Sequence, residues 1–147
     1  MEVAARSAKE HFDFEKFVDF YISTMLRQGI ETNEKSIMEM KNLLKRLNET
    51  KKGRMFMSYT IDGSIGSMAF FLVEPKKAYL LFLANNPVMR NTQTGTMVLW
   101  DAFSILSRSN IQEIDLEGVN SPKRGWFKLS FGGNIKPYFH IRYNNKT

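Results

Sequence analysis

The sequence contains no cysteine and only two histidines, and both shortages narrow the chemistry open to the protein. Without cysteine there is no disulfide framework, no thiolate metal site and no thiol nucleophile. The two histidines, His11 and His140, stand near opposite ends of the chain. That separation argues against a histidine-rich metal site and against a serine–histidine–aspartate relay. We therefore predict no metal centre.

Long apolar runs are missing as well. No stretch approaches the roughly 18 apolar residues that a membrane-spanning helix needs, and residues 1–14 lack the hydrophobic core of a signal peptide. Together with the absence of cysteine, these features predict a cytoplasmic protein without a membrane span. A length of 147 residues, of which 43% are hydrophobic, predicts a single domain over residues 1–147 with its own packed core.

Positive charge is in modest excess, because 21 Lys and Arg residues stand against 15 Asp and Glu residues and give a formal net charge of +6. Such an excess favours anionic partners: phosphates, a nucleotide cofactor or RNA. One basic run has the composition to contact RNA phosphates, although such runs more often form the solvated face of a helix. It comprises Lys41, Lys45, Arg46, Lys51, Lys52 and Arg54.

The first half of the chain has the periodicity of two helices followed by three strands. Apolar residues recur at helical spacing over residues 14–25, with Asp13 as the N-cap, and a second helix runs from residue 32 or 33 to about 48. Strands are predicted over residues 54–61, 66–73 and 78–84. The Asp62-Gly63 pair is typical of a hairpin turn, so these strands form an antiparallel meander.

The second half of the chain alternates helices and strands. The predicted elements are a helix over about 93–109, a strand over 111–117, a helix over 122–131 and a strand over 135–143. The strand–helix–strand unit at 78–117 implies a parallel pair with a right-handed crossover. The predicted fold is therefore α+β (mixed α/β): an antiparallel meander that continues into a parallel β-α-β pair, in the order ααβββαβαβ.

The loop over residues 85–96 is the first candidate site. It joins a predicted strand to a helix and is longer than the usual 2–6 or so residues. No Asp or Glu occurs between residues 75 and 100, whereas Lys76, Lys77 and Arg90 do. Backbone amides over residues 93–96 lie at the positive end of a helix dipole, so the loop favours an anion. A solvated loop with Asn and Thr caps is the alternative.

A second candidate site is the acidic strand near residue 115. Strand alternation puts Glu113, Asp115 and Glu117 on one face. Because burying an unpaired carboxylate is costly, they must enter a polar cleft or meet cations. A carboxylate in a cleft can act as general base for an amine. The alternative is a set of salt bridges to Lys123, Arg124 or Lys128, or an exposed strand end.

The order of elements resembles the GNAT acyltransferase fold, and residues 112–143 resemble its Fem-like branch, which includes the peptidoglycan aminoacyltransferases. Three short motifs carry the closer resemblance: Ile114-Asp115-Leu116-Glu117-Gly118, Trp126-Phe127-Lys128 and Phe131-Gly132-Gly133. The resemblance covers nearly the whole chain from about Phe12. It implies an acyltransferase that moves an acyl group, most simply acetyl from acetyl-CoA, to an amine.

The resemblance also implies roles for particular residues. The CoA phosphates would lie on the loop before the third helix, and the carbonyl oxygen would meet backbone amides near the end of the preceding strand. The implied cofactor-binding residues are Leu83, Ala84, Asn85, Arg90, Asn91, Thr92, Gln93, Thr94, Gly95, Thr96 and Asn120. Asp115 or Glu117 would take the proton. Two departures are a loop with a single glycine and Phe127 where many GNAT enzymes carry a proton-donating tyrosine.

Two other functions stay open. One is an aminoacyl-tRNA-dependent Fem-like transferase, which would use the basic run over residues 41–54. The other is a non-catalytic binding or assembly module of the same fold. The first strand of the family fold is missing or very short in the predicted order. Fem-like enzymes usually carry two such domains, so a homodimer or a missing tandem domain would complete the sheet.

Overall fold

The computed structural model describes residues 5–119 and 122–144, without the side chains of residues 5–9, 90, 123 and 124. In chain order the elements are β1 (Ala5–Glu10), α1 (Phe14–Arg27), α2 (Glu34–Glu49), β2 (Gly53–Thr60), β3 (Ile65–Val73), β4 (Lys77–Asn85), a 3-10 helix (Pro87–Thr92), α3 (Thr94–Arg108), β5 (Glu113–Asp115) and α4 (Pro122–Leu129). The chain divides after Glu117 into two compact units, of which the second contains α4.

One five-stranded sheet forms the centre of the first unit, in the order β1-β2-β3-β4-β5. The pairs from β1 to β4 are antiparallel, whereas β4 and β5 are parallel. At the β2–β3 hairpin Gly63 has a φ of +85°, a conformation that glycine adopts without steric cost. The sequence prediction of an antiparallel meander that continues into a parallel pair is confirmed.

Helices cover both faces of this sheet. On one face α1 and α2 pack against alternate residues of β2 and β3 in a core made of Phe17, Val18, Met40, Leu44, Leu47, Met55, Met57, Met68 and Phe70. Side chains that alternate with these point to the opposite face, where the Ser58 hydroxyl reaches a carbonyl of α3. The buried face of α3 comprises Val98, Leu99, Ala102 and Leu106. The sheet is therefore enclosed between two helical layers.

The predicted helix starts are confirmed by their caps. In α1 the backbone amide of Lys16 donates to the Asp13 carboxylate at 3.0 Å, and in α2 the amide of Ser36 donates to the Asn33 side chain at 2.7 Å. Each bond satisfies one of the amides that a helix start leaves without an internal partner. Gly29 follows α1 with a φ of +72° and ends it.

Two terminal elements differ from the sequence prediction. The first strand, expected to be missing or very short, is present as β1, and Arg54 of β2 binds both oxygens of Glu10 at 2.6 Å. Conversely, residues 135–143, predicted as a strand, contain no helix or strand within the described range. An alternating pattern forms a strand only where it pairs with another strand, and within the described range these residues pair with none. The strand predicted over residues 111–117 is shortened to Glu113–Asp115.

Candidate active site

The parallel strands β4 and β5 separate soon after they meet. Their pairing is limited to Lys77 with Glu113, Ala78 with Ile114 and Tyr79 with Asp115. Strand β5 ends there, whereas β4 continues to Asn85. We call the unpaired side of residues 80–85 the open edge of β4, because those backbone groups have no strand partner in the part of the chain that is described. Ligands of α/β sheets bind in such gaps beyond the carboxyl ends of parallel strands.

A β-bulge lies at the start of the open edge. Phe71 pairs with Leu80 and Phe70 pairs with Phe82, so Leu81 is an extra residue on β4. A bulge bends its strand and changes the direction of the neighbouring backbone groups. Bulges are frequent beside active sites. The bend therefore coincides with the point at which β4 leaves β5.

The N-terminus of α3 begins just after the open edge. Gln93 precedes the helix with a left-handed backbone, φ +59°, and makes no side-chain capping bond within the described region. The first turn contains no acidic residue. The first amides of a helix lack internal partners and carry the positive end of its dipole, so this terminus suits an anion.

A buried polar network fastens this terminus to the sheet. Thr94 is only 3% exposed; its hydroxyl lies 3.0 Å from the Ser67 hydroxyl, and its carbonyl accepts a bond of 2.8 Å from Ser58. Ser67 also donates to the side-chain oxygen of Asn85 at 2.7 Å. Strands β2, β3 and β4 are thus all bonded, directly or through Ser67, to the first residue of α3.

Two glycines permit this close approach. A Cβ on Gly66 of β3 would overlap the Thr94 side chain, and a Cβ on Gly95 would lie 2.7 Å from the Asn85 oxygen. Real Cβ atoms do not show such distances, so either substitution would force the neighbouring side chain or the start of α3 to shift. The single glycine of the loop therefore has a packing role within the protein, whatever else it binds.

The predicted cofactor-binding residues fall into two groups. The side chains of Ala84 and Thr94 are buried, and Asn85 belongs to the polar network. The Thr92 hydroxyl bonds the Met89 carbonyl at 2.6 Å. Closer to solvent are Leu83, Asn91, Gln93 and Thr96. Asn120 and the side chain of Arg90 lie outside the described residues. The structure therefore brings the loop residues together at the α3 terminus, but several of them bind the protein itself.

The predicted catalytic carboxylates lie elsewhere in the sheet. Lys77 contacts Glu113 at 3.2 Å and Asp115 at 3.5 Å, and the bond from Glu113 raises the pKa of Lys77 above its usual value. Asp115 also accepts a bond of 2.8 Å from the Glu117 amide. Asp115 pairs with Tyr79, six residues before Asn85 and hence about 20 Å along the strand. Lys77, a cation that pairs with both carboxylates, thus belongs to β4.

Glu117 differs from its two neighbours. It is exposed and has a left-handed φ of +63° just beyond the end of β5. The bond from its amide to Asp115 stabilises this turn. Of the expected helix cations, Lys128 donates to the Gly118 carbonyl at 3.0 Å, and the side chains of residues 123 and 124 are not described. The described residues contain no cluster of three or more His, Asp or Glu that could hold a metal ion.

A cavity that sequence reasoning missed lies between the first two helices. Its volume is about 390 Å³. It is lined by α1, the link to α2, α2 and one residue of the open edge: Tyr21, Met25, Ile30, Glu31, Thr32, Asn33, Ser36, Ile37, Glu39, Met40, Leu43 and Phe82. We call it the Glu31 cavity. Its walls come together only when the helices pack on the sheet, so the sequence alone does not reveal the cavity. The one local signal was an acidic residue, Glu31, in the short link between α1 and α2.

Comparisons with known proteins agree with this geometry. The family model of the acetyltransferase (GNAT) domain matches residues 1–128. No curated protein matches the chain.

Within the described ranges, none of the helices has both the length and the apolar character needed to cross a bilayer.

Several solved structures are similar in fold. A possible acetyltransferase from Clostridium difficile 630 has 12% identity and a TM-score of 0.70, with 96% of this chain and 98% of that chain covered. A predicted acetyltransferase from Clostridium acetobutylicum, solved with acetyl-CoA, has 16% identity and a TM-score of 0.69, with 94% and 95% covered. An aminoglycoside 6'-N-acetyltransferase from Acinetobacter haemolyticus has 11% identity and a TM-score of 0.65, with 97% and 99% covered. At these identities the likeness is one of fold.

Proposed function

The chain belongs to the GNAT acetyltransferase family, and on that premise we propose that it transfers an acetyl group from acetyl-CoA to the nitrogen of an amine. One observation carries the proposal: an uncapped helix N-terminus, without an acid in its first turn, begins directly after the open edge of β4. A solved structure of similar fold contains acetyl-CoA, which supports the choice of donor.

The residues at the α3 terminus fit the phosphates of CoA. Backbone amides at Gln93, Gly95 and Thr96 would supply donors at the positive end of the dipole, where no side-chain cap is present within the described region. No Asp or Glu occurs between residues 75 and 100 to repel the anion. Asn91, Thr92 and the cation Arg90 belong to the same loop, and Asn120 completes the proposed set. Thr94 and Asn85 hold the terminus through their buried bonds.

The open edge suits the reacting thioester. The amine nitrogen forms a bond to the thioester carbonyl carbon, the carbon–sulfur bond breaks, and the sulfur leaves as a thiolate. The proton lost by nitrogen is finally returned to that thiolate, so the products are an N-acetyl amide and CoA. Backbone amides around Leu83, Ala84 and Asn85 would bind the carbonyl oxygen as it gains negative charge, which accelerates such transfers.

For the proton of the amine we propose Glu117, acting through water. It is exposed beyond the end of β5, next to the gap between the parallel strands. Asp115 is a positioning residue, because its oxygens are bound to Lys77 and to the Glu117 amide. Glu117→Gln should shift the acid limb of the kcat/KM profile, whereas Asp115→Asn should lower kcat without shifting that limb. Identical profiles for wild type and Glu117→Gln would remove Glu117 from the mechanism.

Titration calorimetry tests the donor directly. Acetyl-CoA and CoA should bind the protein, whereas ATP at the same concentration should bind much more weakly. Release of free CoA, followed with a thiol reagent, should then depend on an added amine. Absence of acetyl-CoA binding at millimolar concentration would overturn the proposal and favour the assembly module, for which Phe127 at the tyrosine position is the supporting observation.

Transfer from an aminoacyl-tRNA, as in the Fem-like branch, is the second candidate. It rests on the net charge of +6 and on exposed Lys45, Arg46, Lys51 and Lys52. Arg54 no longer belongs to this basic run, because Glu10 and Ser109 occupy its guanidinium. A steep fall of tRNA binding with salt would support this candidate. A cytoplasmic location and a homodimer or tandem domain stay predictions.

A further inference from the structure

From the Glu31 cavity we infer the class of the acceptor: an amine that carries a second positive charge across an apolar spacer, such as an aliphatic diamine. The inference rests on the proposed transfer to an amine and adds the substrate class. It follows from three properties of the cavity: its place beside β4, its apolar walls and the sign of its charges.

The cavity lies next to the segment of β4 proposed as the reaction centre, because Phe82 belongs to both. This residue lines the cavity and also lies in the open edge of β4, one residue after the bulge. The Phe82 ring packs against Tyr21 of α1 with ring centroids 6.1 Å apart. A molecule in the cavity would therefore contact β4 within the segment where the thioester would lie.

The walls of the cavity are largely apolar. Seven of the twelve lining residues have apolar or aromatic side chains: Tyr21, Met25, Ile30, Ile37, Met40, Leu43 and Phe82. Such walls favour methylene groups, because binding removes their apolar surface from water. Densely hydroxylated acceptors would leave their polar groups without partners there. The spacer of the acceptor is therefore expected to be hydrocarbon.

The charged groups of the lining are both acidic. Glu31 lies in the helix–helix link and Glu39 lies on α2, and the described lining residues include no Lys, Arg or His. Lys35 approaches Glu39 at 4.0 Å, but both side chains are mostly exposed, and such pairs are weak. A chain with a net charge of +6 thus has a locally acidic cavity. Complementarity selects a cation and rejects a carboxylate or phosphate at that end.

Three amines of similar length test the inference: 1,5-diaminopentane, 1-aminopentane and 5-aminopentanoate, whose far ends are positive, neutral and negative. Binding is measured without donor on protein with labelled methionine methyl groups. Met25 and Met40 line the cavity, whereas Met38 lies on α2 outside it and serves as an internal control. We expect Met25 and Met40 to shift with an affinity up to about fivefold higher for the diamine than for the monoamine, the range that a weak exposed ion pair allows. The aminocarboxylate should bind least.

The double variant Glu31→Gln/Glu39→Gln should remove the preference for the diamine, and Glu49→Gln, which deletes an exposed acid of α2 outside the lining, should keep it. Equal affinities for the three amines, or a preference that survives in the double variant, would overturn the inference. Acetyl transfer to the same amines is measured in parallel. The expected affinity order without any transfer would support the cavity while contradicting the proposed function. Acetyl transfer to these amines without the expected order of affinities would contradict the inferred acceptor class and leave the proposed function standing.

Discussion

The hydroxyl of Ser67 lies 2.7 Å from the side-chain oxygen of Asn85. This bond joins β3 to the last residue of β4, and the same hydroxyl is bonded to Thr94 at the start of α3. The proposed donor site thus depends on one small buried side chain. Its contribution can be measured separately from any direct contact with donor, because Ser67 is completely buried.

Ser67→Ala should lower the free energy of unfolding by about 1–3 kcal/mol, since it leaves the Asn85 oxygen and the Thr94 hydroxyl short of a partner. It should also raise the Kd for acetyl-CoA, because the α3 terminus loses its fixed position. Urea unfolding and calorimetry measure the two effects. The exposed Ser104→Ala on the same helix is the control and should change neither. If Ser67→Ala destabilises the protein but leaves its affinity for acetyl-CoA unchanged, the polar network contributes to stability and not to donor binding.

Thr24→Val should stabilise the protein by about 1 kcal/mol. Thr24 is completely buried in α1, and its hydroxyl has no hydrogen-bond partner among the described residues. Valine has nearly the same shape and a similar helix propensity, so the change removes only an unpaired polar group. The matched change Thr94→Val should have the opposite sign, because there the lost hydroxyl is bonded to Ser67. The midpoints of urea unfolding measure both changes. Destabilisation by Thr24→Val would contradict the prediction and would indicate that the Thr24 hydroxyl has a hydrogen-bond partner.

Asn91→Asp should weaken binding of CoA about three- to tenfold at low ionic strength, because it places an exposed carboxylate beside the α3 terminus. The control is Asn110→Asp beyond the other end of α3, about 22 Å away along a helix of 15 residues. Calorimetry at low and high salt measures both variants. Equal losses in the two variants would point to net charge and not to a local anion site.

The ion pairs of Lys77 should give a pH-dependent contribution to stability. Glu113 raises the pKa of Lys77 in the folded protein, so the contribution is full below the pKa of the unfolded chain, about 10.4. It is lost as the pH rises through the higher folded value. Wild type and Lys77→Met should therefore differ in Tm near pH 8 and converge as the pH rises above the folded pKa of Lys77. A difference that stays constant over this range would assign the effect to packing.

Local signals in the sequence were sufficient for much of the fold. Asp13 was recognisable as a cap of α1, and the start of α2, predicted at residue 32 or 33, lies within two residues of the observed Glu34. The Asp62-Gly63 turn and the apolar strands that follow it were enough to predict the antiparallel meander. Strand β1, by contrast, contains few apolar residues and is held by pairing with β2 and by the Glu10–Arg54 contact, which are distant in sequence.

The candidate site was predictable only in part. The absence of acids between residues 75 and 100 and the strand-to-helix order were enough to predict where α3 begins. The sequence did not reveal that the Thr94 side chain points into the protein, because this direction depends on Ser67 and Gly66 of strand β3. Lys77 as partner of Asp115 depends on the register of β4 against β5, which composition does not specify. The Glu31 cavity required the packing of two helices.

The open edge of β4 also affects how the protein behaves without substrate. An unpaired strand edge with the apolar sequence of residues 80–84 is a template for a strand from another chain. The backbone groups that would bind the thioester are the same ones that a foreign strand would use. A donor bound as proposed and a foreign strand would therefore compete for this edge, so bound donor would also reduce aggregation.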